Sequence, residues 1–308
     1  AQGAGWEQSL HAAASSDPLV KAMREWAQRD AGEAVAAKCA DCHSVPLLDG
    51  TARSAMVTCE ACHQGRRLGP GPAGWVIDPA HPVRAARAAE SAPHAVAVDE
   101  ALTNGELCLV CHAELHNAAG VALCTTGPEH AARRGAASCV DCHADAADHR
   151  FEGATPRPLA RAAALSVDFI GGEAVVAVTN SGAGHSLPTG SALRRIGLEV
   201  AFLDDTGTVL RRNADDGRAR FEKVLRDADG NAPAPPWRAV AQARDTRLVS
   251  GETRHLAYAV PAGAARIEAR LVFHRAPAAL AARLGLADAP LLAPVVMARF
   301  TREVPPAP

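Results

Sequence analysis

Four copies of one pattern organise the first half of this chain: Cys39-Ala-Asp-Cys42-His43, Cys59-Glu-Ala-Cys62-His63, Cys108-Leu-Val-Cys111-His112 and Cys139-Val-Asp-Cys142-His143. Two cysteines three residues apart lie on one side of a helical turn, and the next residue can aim its imidazole at a group that both thiols hold. The pattern is typical of covalent haem c attachment. A tetrahedral zinc site is the alternative, but four repeats with histidine always in the same position favour haem. We therefore predict four haem c groups, each with the motif histidine as an iron ligand.

Composition limits the class of protein. The chain has 308 residues, nine cysteines and a formal net charge of −2. Its length fits two domains, no basic stripe suggests nucleic-acid binding, and no apolar run of about 18 residues suggests a membrane span. Because haem c is attached outside the cytoplasm, and because the chain starts without a leader, we expect an exported protein, either extracellular or periplasmic.

Arginine supplies nearly all of the positive charge, and aromatic residues make up only 4% of the chain. Arginine can hold a haem propionate through two parallel hydrogen bonds, although a solvated surface is an equal interpretation. The candidates in the first half are Arg66, Arg67, Arg133 and Arg134. Since large apolar side chains are scarce there, we expect the porphyrin rings to supply much of the core, and this part not to fold without haem.

The sequence pattern changes near residue 159. Before it, short helices and loops surround the four motifs, and Asp17-Pro18 marks the start of a helix. After it, alternating apolar residues predict short strands joined by tight turns. These strands are expected at 165–170, 174–179, 196–202, 208–210, 255–260, 269–274 and 295–300, with a brief helix at 278–284. The predicted fold class is α+β multidomain: a mostly helical and loop tetrahaem cytochrome c domain (1–158), then a small antiparallel β-sandwich (159–308).

The second axial ligand of each iron is the open question. Methionine competes with histidine for this position and raises the reduction potential. The chain has only Met23, Met56 and Met297, of which the first and last are better explained as core residues. We therefore predict bis-histidine ligation and low potentials. The predicted distal ligands are His11, His81, His94 and His149.

Other histidines stay open as alternatives. His116 follows His112 by four residues, so it shares a helical face with that ligand and cannot easily reach the far side of the same haem. His185 lies in a turn rich in glycine and proline, where hydrogen bonding within the turn is slightly favoured over ligation. His130 ranks below both, and His255 and His274 read as surface residues on strands. Cys124 has no motif partner and is expected to be a buried free thiol.

Several segments together resemble a known family. They are Ser9-Leu10-His11-Ala12, the four motifs, Asp148-His149-Arg150-Phe151 and Gly184-His185-Ser-Leu-Pro188-Thr189-Gly190. The combination resembles the exported multihaem cytochrome c family, which is related to the tetrahaem cytochromes of nitrogen-cycle electron transfer. With the β domain it also resembles extracellular cytochrome nanowire subunits of the OmcE type. That resemblance implies a homopolymer in which a neighbour donates one distal histidine, and His11 would be the donated ligand.

The predicted function is electron transfer through four haem c groups, as the repeating subunit of an extracellular filament. The predicted partners are further copies of the chain and redox partner proteins or extracellular acceptors. A soluble periplasmic electron shuttle is the first alternative. The second is a multihaem oxidoreductase with one open haem site, which would need acid–base residues near that iron. No cluster of such residues is evident, so we predict a carrier and not an enzyme.

Overall fold

A computed structural model describes residues 2–88, 91–133, 135, 137–144, 149–213 and 216–306 of the chain. The chain divides into two compact units. The first unit comprises Ala1–Leu115 and Ala137–Gly153, and the second comprises His116–Ala136 and Ala154–Pro308. The segment His116–Ala136, which the sequence prediction assigned to the first domain, thus groups with the second unit.

The helices are short. In chain order they are α1 (Gln2–Glu7), α2 (Pro18–Ala31), α3 (Glu33–Ala37), α4 (Ala40–His43), α5 (Cys59–His63), α6 (Ala101–Asn104), α7 (Leu109–His112), α8 (Thr126–Ala131), α9 (Cys139–His143), α10 (Pro156–Ala162) and α11 (Ala278–Arg283). None of the helices in the described ranges is long and apolar enough to cross a membrane.

The strands occur in both units. In chain order they are β1 (Gly65–Arg67), β2 (Trp75–Ile77), β3 (Val83–Ala85), β4 (Val96–Val98), β5 (Leu115–His116), β6 (Ala122–Cys124), β7 (Ala164–Ile170), β8 (Glu173–Thr179), β9 (Arg195–Leu203), β10 (Val209–Arg212), β11 (Arg220–Asp227), β12 (Ala239–Asp245), β13 (Thr253–Ala259), β14 (Arg266–His274) and β15 (Val295–Glu303).

Local signals fix the helices of the first unit. Asp17 caps α2 by accepting a hydrogen bond from the Leu19 amide at 2.9 Å, and Pro18 occupies the first helical position, as the sequence predicted. Each motif helix is a single turn that ends at the motif histidine. Thr58 caps α5, and the Asp141 carboxylate accepts from the Ser138 amide at the start of α9.

Two small strand pairs complete the first unit. Strands β1 and β2 pair antiparallel, and β3 and β4 pair parallel. A compact apolar cluster lies beside the second and third motifs. Its buried members are Val45, Ala61, Trp75, Ile77 and Val110. Two of them, Ala61 and Val110, are the residues between the cysteines of those motifs, so the core of this unit is built directly on the motifs.

The second unit contains two antiparallel sheets over one core. One sheet has the order β12-β11-β9-β14-β15, with β10 also paired to β9, and the other has the order β13-β8-β7. Buried residues alternate along β8, so Val176 and Val178 face inward. They share a cluster with Phe202 of β9 and Ile267 of β14. The two sheets therefore bury their apolar faces against each other.

The predicted fold class is wrong, although most strands of the second unit lie where the alternation of apolar residues predicted them. Helices account for 26% of the structure and strands for 30%, with several sheets, so it is not a mostly helical haem domain followed by a small sandwich. The motif helices end after one turn, and strands of three residues, such as β1–β4, are too short to produce a recognisable period in the sequence.

A buried carboxylate joins the segment 116–136 to the sheets of the second unit. Glu129 accepts hydrogen bonds from Arg247 at 2.6 Å, Thr189 at 2.6 Å and Thr125 at 2.5 Å. The side chains of Glu129 and Arg247 are 11% and 10% exposed, so solvent screens this ion pair weakly. Burial acts to raise the pKa of Glu129, but the hydrogen bonds and the Arg247 charge outweigh it and hold the pKa below 4.5.

We predict that Glu129→Gln makes stability less dependent on acid pH. Because the folded-state pKa is lowered, the ionised carboxylate stabilises the fold above pH 4.5, and this contribution is lost as pH falls through the lowered pKa. The variant should be less stable at neutral pH by about 2 kcal/mol, since Arg247 loses its ion pair with Glu129 and keeps the one with Asp245. Urea unfolding followed by far-UV circular dichroism at pH 7 and pH 3 measures both effects.

The exposed Glu25 provides the matched control, because Glu25→Gln removes one carboxylate that is 66% exposed. That control should keep the wild-type loss of stability on acidification. An equal loss in wild type and Glu129→Gln would contradict the account of this network.

Candidate haem-binding site

Backbone carbonyl groups hold the motif histidines His43, His63 and His143. Each ring bonds through Nδ1: His43 with Ala14 O at 2.6 Å, His63 with Arg84 O at 2.7 Å, and His143 with Glu152 O at 2.6 Å. Since a carbonyl oxygen only accepts, each Nδ1 carries the hydrogen and donates it. The lone pair then lies on Nε2, the nitrogen that can bind a metal.

Two further histidines face motif histidines across a gap. The ring centroids of His63 and His149 are 6.2 Å apart, and those of His11 and His112 are 6.3 Å apart. Metal–nitrogen bonds of about 2 Å and ring bonds of about 1.33 Å put the centroids of two imidazoles on opposite sides of one metal about 6.3 Å apart. The separations in both pairs match this value.

One aromatic side chain, that of Phe151, contacts both His11 and His149. The ring of Phe151 contacts His11 at 5.2 Å and His149 at 5.5 Å, both edge to face. Phe151 and His149 both have left-handed backbone, with φ of 45° and 56°. Bulky residues rarely adopt this conformation, which persists only where surrounding contacts enforce it. The backbone at His149 and Phe151 is therefore strained, and Phe151 contacts the imidazoles of both His11 and His149.

The N-terminal segment supports two of the motifs. The His11 carbonyl accepts from the Val57 amide at 3.2 Å, just before the second motif, and the Ala14 carbonyl holds His43. Burial lowers the pKa of His11, so its ring is neutral near pH 7. The neutral form has the free lone pair that metal binding requires.

The cysteines of different motifs lie next to one another. The Cys42 thiol hydrogen-bonds to Cys111, and the Cys108 thiol hydrogen-bonds to Cys139. These bonds and burial raise the pKa of Cys42 and Cys108, which keeps both as neutral thiols. The third motif therefore adjoins both the first and the fourth through its two attachment points.

A tryptophan flanked by two cations lies beside the second motif. Trp75 is 7% exposed and donates from Nε1 to Ala61 O, within that motif, at 2.7 Å. The guanidinium carbons of Arg67 and Arg84 lie 5.8 and 5.4 Å from its ring, which is within cation–π range. Burial raises the pKa of Cys62 to about 11, against the opposing charge of Arg84.

The other two predicted distal ligands, His81 and His94, contact neighbouring backbone carbonyls. The His81 ring bonds to Pro82 O at 2.8 Å, and the exposed His94 ring lies 3.4 Å from Ala95 O. Among the alternatives, His185 bonds to Ser186 O at 3.0 Å within its own turn. In the rings of His81 and His94 this contact uses Nδ1 and not Nε2, the nitrogen that would bind a metal.

The arginines predicted to hold propionates, and Cys124, lie in different environments. Arg66 pairs with Asp78 at 3.1 Å, and Arg133 lies 3.5 Å from Ala183 O. Arg134, like Asp148 of the quoted family segment, lies outside the described residues. Cys124 is half-buried, and its Sγ is 3.4 Å from Thr126 Oγ1.

The donor set fits haem c. Each motif provides two thiols and an adjacent imidazole. The rings of His43, His63 and His143 bond to carbonyls through Nδ1, and those of His63 and His112 have a second imidazole with its centroid 6.2 and 6.3 Å away. Within the described ranges, no group of three or more histidine, cysteine, aspartate or glutamate side chains is arranged to hold a metal ion. In haem, the porphyrin itself supplies the equatorial ligands, so two protein ligands for each iron suffice.

The fold was compared with known proteins. No protein-family model and no curated protein sequence matches the chain. Among solved structures, the chain is similar to a penta-heme cytochrome c552 from Thermochromatium tepidum, with a TM-score of 0.81 and 25% identity over 97% of this chain and 95% of that chain. The likeness supports a multihaem cytochrome c. The relative is a penta-heme protein, whereas this sequence contains four Cys-x-x-Cys-His motifs.

The sequence pattern predicts no role in this region for Phe151, Trp75 or Arg84. A positive φ at a phenylalanine cannot be predicted from the sequence. The weak signal for Trp75 was its rarity, since the chain has four tryptophans and little other aromatic material with which to build a core.

Proposed function

We propose that this chain is an electron-transfer protein that carries four haem c groups, each attached through one Cys-x-x-Cys-His motif. The observation that carries the proposal is the spacing of the two histidine pairs, at 6.2 and 6.3 Å. When bound, haem c supplies a one-electron redox centre. The likeness to a multihaem cytochrome supports the same function at a coarser level.

The two pairs suggest specific axial ligands. We assign His63 and His149 to the iron of the second motif, and His112 and His11 to the iron of the third. The Arg84 carbonyl fixes the His63 ring, and the rings of His149 and His11 both contact Phe151. Two imidazoles for each iron would favour low potentials and would leave no open coordination position for substrate. We therefore propose a carrier and not an enzyme.

The irons of His43 and His143 also need second ligands. His81 and His94 are proposed for them, because each turns Nδ1 toward a neighbouring carbonyl and leaves Nε2 free to bind. His116 and His185 are the alternatives carried over from the sequence.

The adjoining cysteines support closely spaced redox centres. The thiols of the third motif hydrogen-bond to those of the first and fourth, so the attachment points of these three motifs are neighbours. We propose that the third motif is the central one in the electron path. Because haem c is attached outside the cytoplasm, we also propose that the protein is exported.

The first test concerns the two distal histidines. His149→Ala and His11→Ala should each convert one haem from low-spin to high-spin, since each removes the sixth ligand of one iron. Ultraviolet–visible and electron paramagnetic resonance spectra of the ferric protein measure this change. The two pairs differ in interplanar angle, 22° for His63–His149 and 48° for His11–His112, and this angle sets the splitting of the iron d orbitals. Each variant should therefore remove a different low-spin signal.

His255→Ala is the matched control, because His255 lies exposed on β13 and is assigned no role at an iron. It should leave every low-spin signal unchanged. Retention of all signals in His149→Ala and His11→Ala would contradict the ligand assignment.

The second test counts the haems. The intact protein should have the mass of the chain plus four haems, and Cys59→Ser with Cys62→Ser should reduce the gain to three. Mass spectrometry of the denatured protein measures this directly, because the thioether bonds survive denaturation. A gain of five haems, or an unchanged mass in the double variant, would overturn the proposed attachment.

We further propose, on the sequence resemblance, that the chain assembles into an extracellular filament. The proximity of His11 to His112 of the same chain supports an in-chain role for His11 and not the donated role that the resemblance implies. Negative-stain electron micrographs of native secreted material should contain filaments. Micrographs with only monodisperse particles would exclude this assembly and favour a soluble periplasmic shuttle.

A further inference from the structure

We propose that the Arg84–Asp99 ion pair sets the reduction potential of the haem held by the second motif, with Arg84 raising it and Asp99 lowering it. This inference rests on the proposed function, because it requires a haem on Cys59, Cys62 and His63. It assigns a tuning role to two residues that bind no haem themselves.

Arg84 is tied to the second motif through its backbone. Its carbonyl oxygen accepts the hydrogen bond from His63 Nδ1 at 2.7 Å, so any shift of Arg84 is transmitted to this ligand. Strand β3 carries Arg84 and pairs with β4, in which Ala97 lies opposite Arg84. The end of β4 is fixed in turn, since the Asp99 amide donates to Ala85 O at 3.0 Å. The sheet thus fixes both charged residues relative to the ligand.

The side-chain charges are poorly screened. Arg84 Nε lies 3.2 Å from Asp99 Oδ2, and the two side chains are 15% and 31% exposed. One face of the guanidinium lies against Trp75, with 5.4 Å between Cζ and the ring centroid. In contrast, Arg67 on the same tryptophan is exposed, so solvent screens its charge more.

The charge of Arg84 lies beside the motif. The Arg84 carbonyl holds His63 Nδ1 at 2.7 Å, and its guanidinium packs on Trp75, whose Nε1 donates to Ala61 O inside the motif. The positive charge therefore lies close to the ligand of the iron that His63 would bind. Reduction adds one electron to that iron, and a nearby positive charge stabilises the reduced state while a negative charge destabilises it. Arg84 and Asp99 must therefore shift the potential in opposite directions.

The test compares three variants. Arg84→Gln should lower the potential of this haem, because Asp99 is left as an unpaired negative charge. Asp99→Asn should raise it, and it keeps the side-chain oxygen that accepts from the Ala101 amide at 2.9 Å. The double variant should return close to wild type. Each single change should alter the ratio of reduced to oxidised haem at a fixed ambient potential by at least about threefold.

The potential is read by a potentiometric titration that follows the electron paramagnetic resonance signal lost in His149→Ala. Arg84→Lys keeps the charge and should stay near the wild-type potential. Arg29→Gln is the matched control: it removes the same charge from an exposed ion pair in the same unit, with Arg29 69% exposed, and should not move the potential.

A purely structural role for the pair predicts a different result. If Arg84 and Asp99 only hold the ligand in place, both single variants would move the potential in the same direction, or neither would move it. Either outcome overturns the inference. If Arg84→Gln does not fold, Asp99→Asn alone decides, because a potential that is unchanged or lowered in that variant contradicts the proposal. Failure of the proposed function is distinct, since then no haem is found on the peptide containing Cys59 and Cys62 in the wild-type protein.

Discussion

The first unit depends on hydrogen bonds between motif histidines and backbone carbonyls. An imidazole has two nitrogens, and a carbonyl that takes the Nδ1 hydrogen both orients the ring and leaves Nε2 as the ligand. Ala14, Arg84 and Glu152 supply these carbonyls. They come from the turn before α2, from β3 and from the residue after Phe151, which explains why segments with little apolar content are held in defined positions.

The two units are stabilised in different ways. The second unit buries the apolar faces of two sheets against each other, with residues such as Phe221 and Ile267 fully enclosed. In the described part of the first unit, the apolar cluster is the small one around Trp75, built on the residues between the motif cysteines. A unit with so little apolar burial needs another source of stability, and four porphyrin rings held by thioether bonds and axial histidines would provide it.

The sequence allowed local features to be predicted and left distant ones open. The motifs and the hairpin around Gly171 and Gly172 were readable, because spacing, turn residues and alternation are local properties. The fold class was wrong, since strands of three residues have no measurable period. The sequence also could not predict that His149 lies close to His63. This contact depends on left-handed backbone at His149 and Phe151, and no residue type in that segment favours this conformation.

The central claim is that imidazoles from distant parts of the chain bind the irons of the second and third motifs from opposite sides. A crystal or cryo-electron microscopy structure of the haem-loaded protein tests it most directly. We predict an iron between His63 and His149 and another between His112 and His11, with His63 Nδ1 still bonded to the Arg84 carbonyl. An iron ligated by another residue at either sixth position, or left open there, would contradict it.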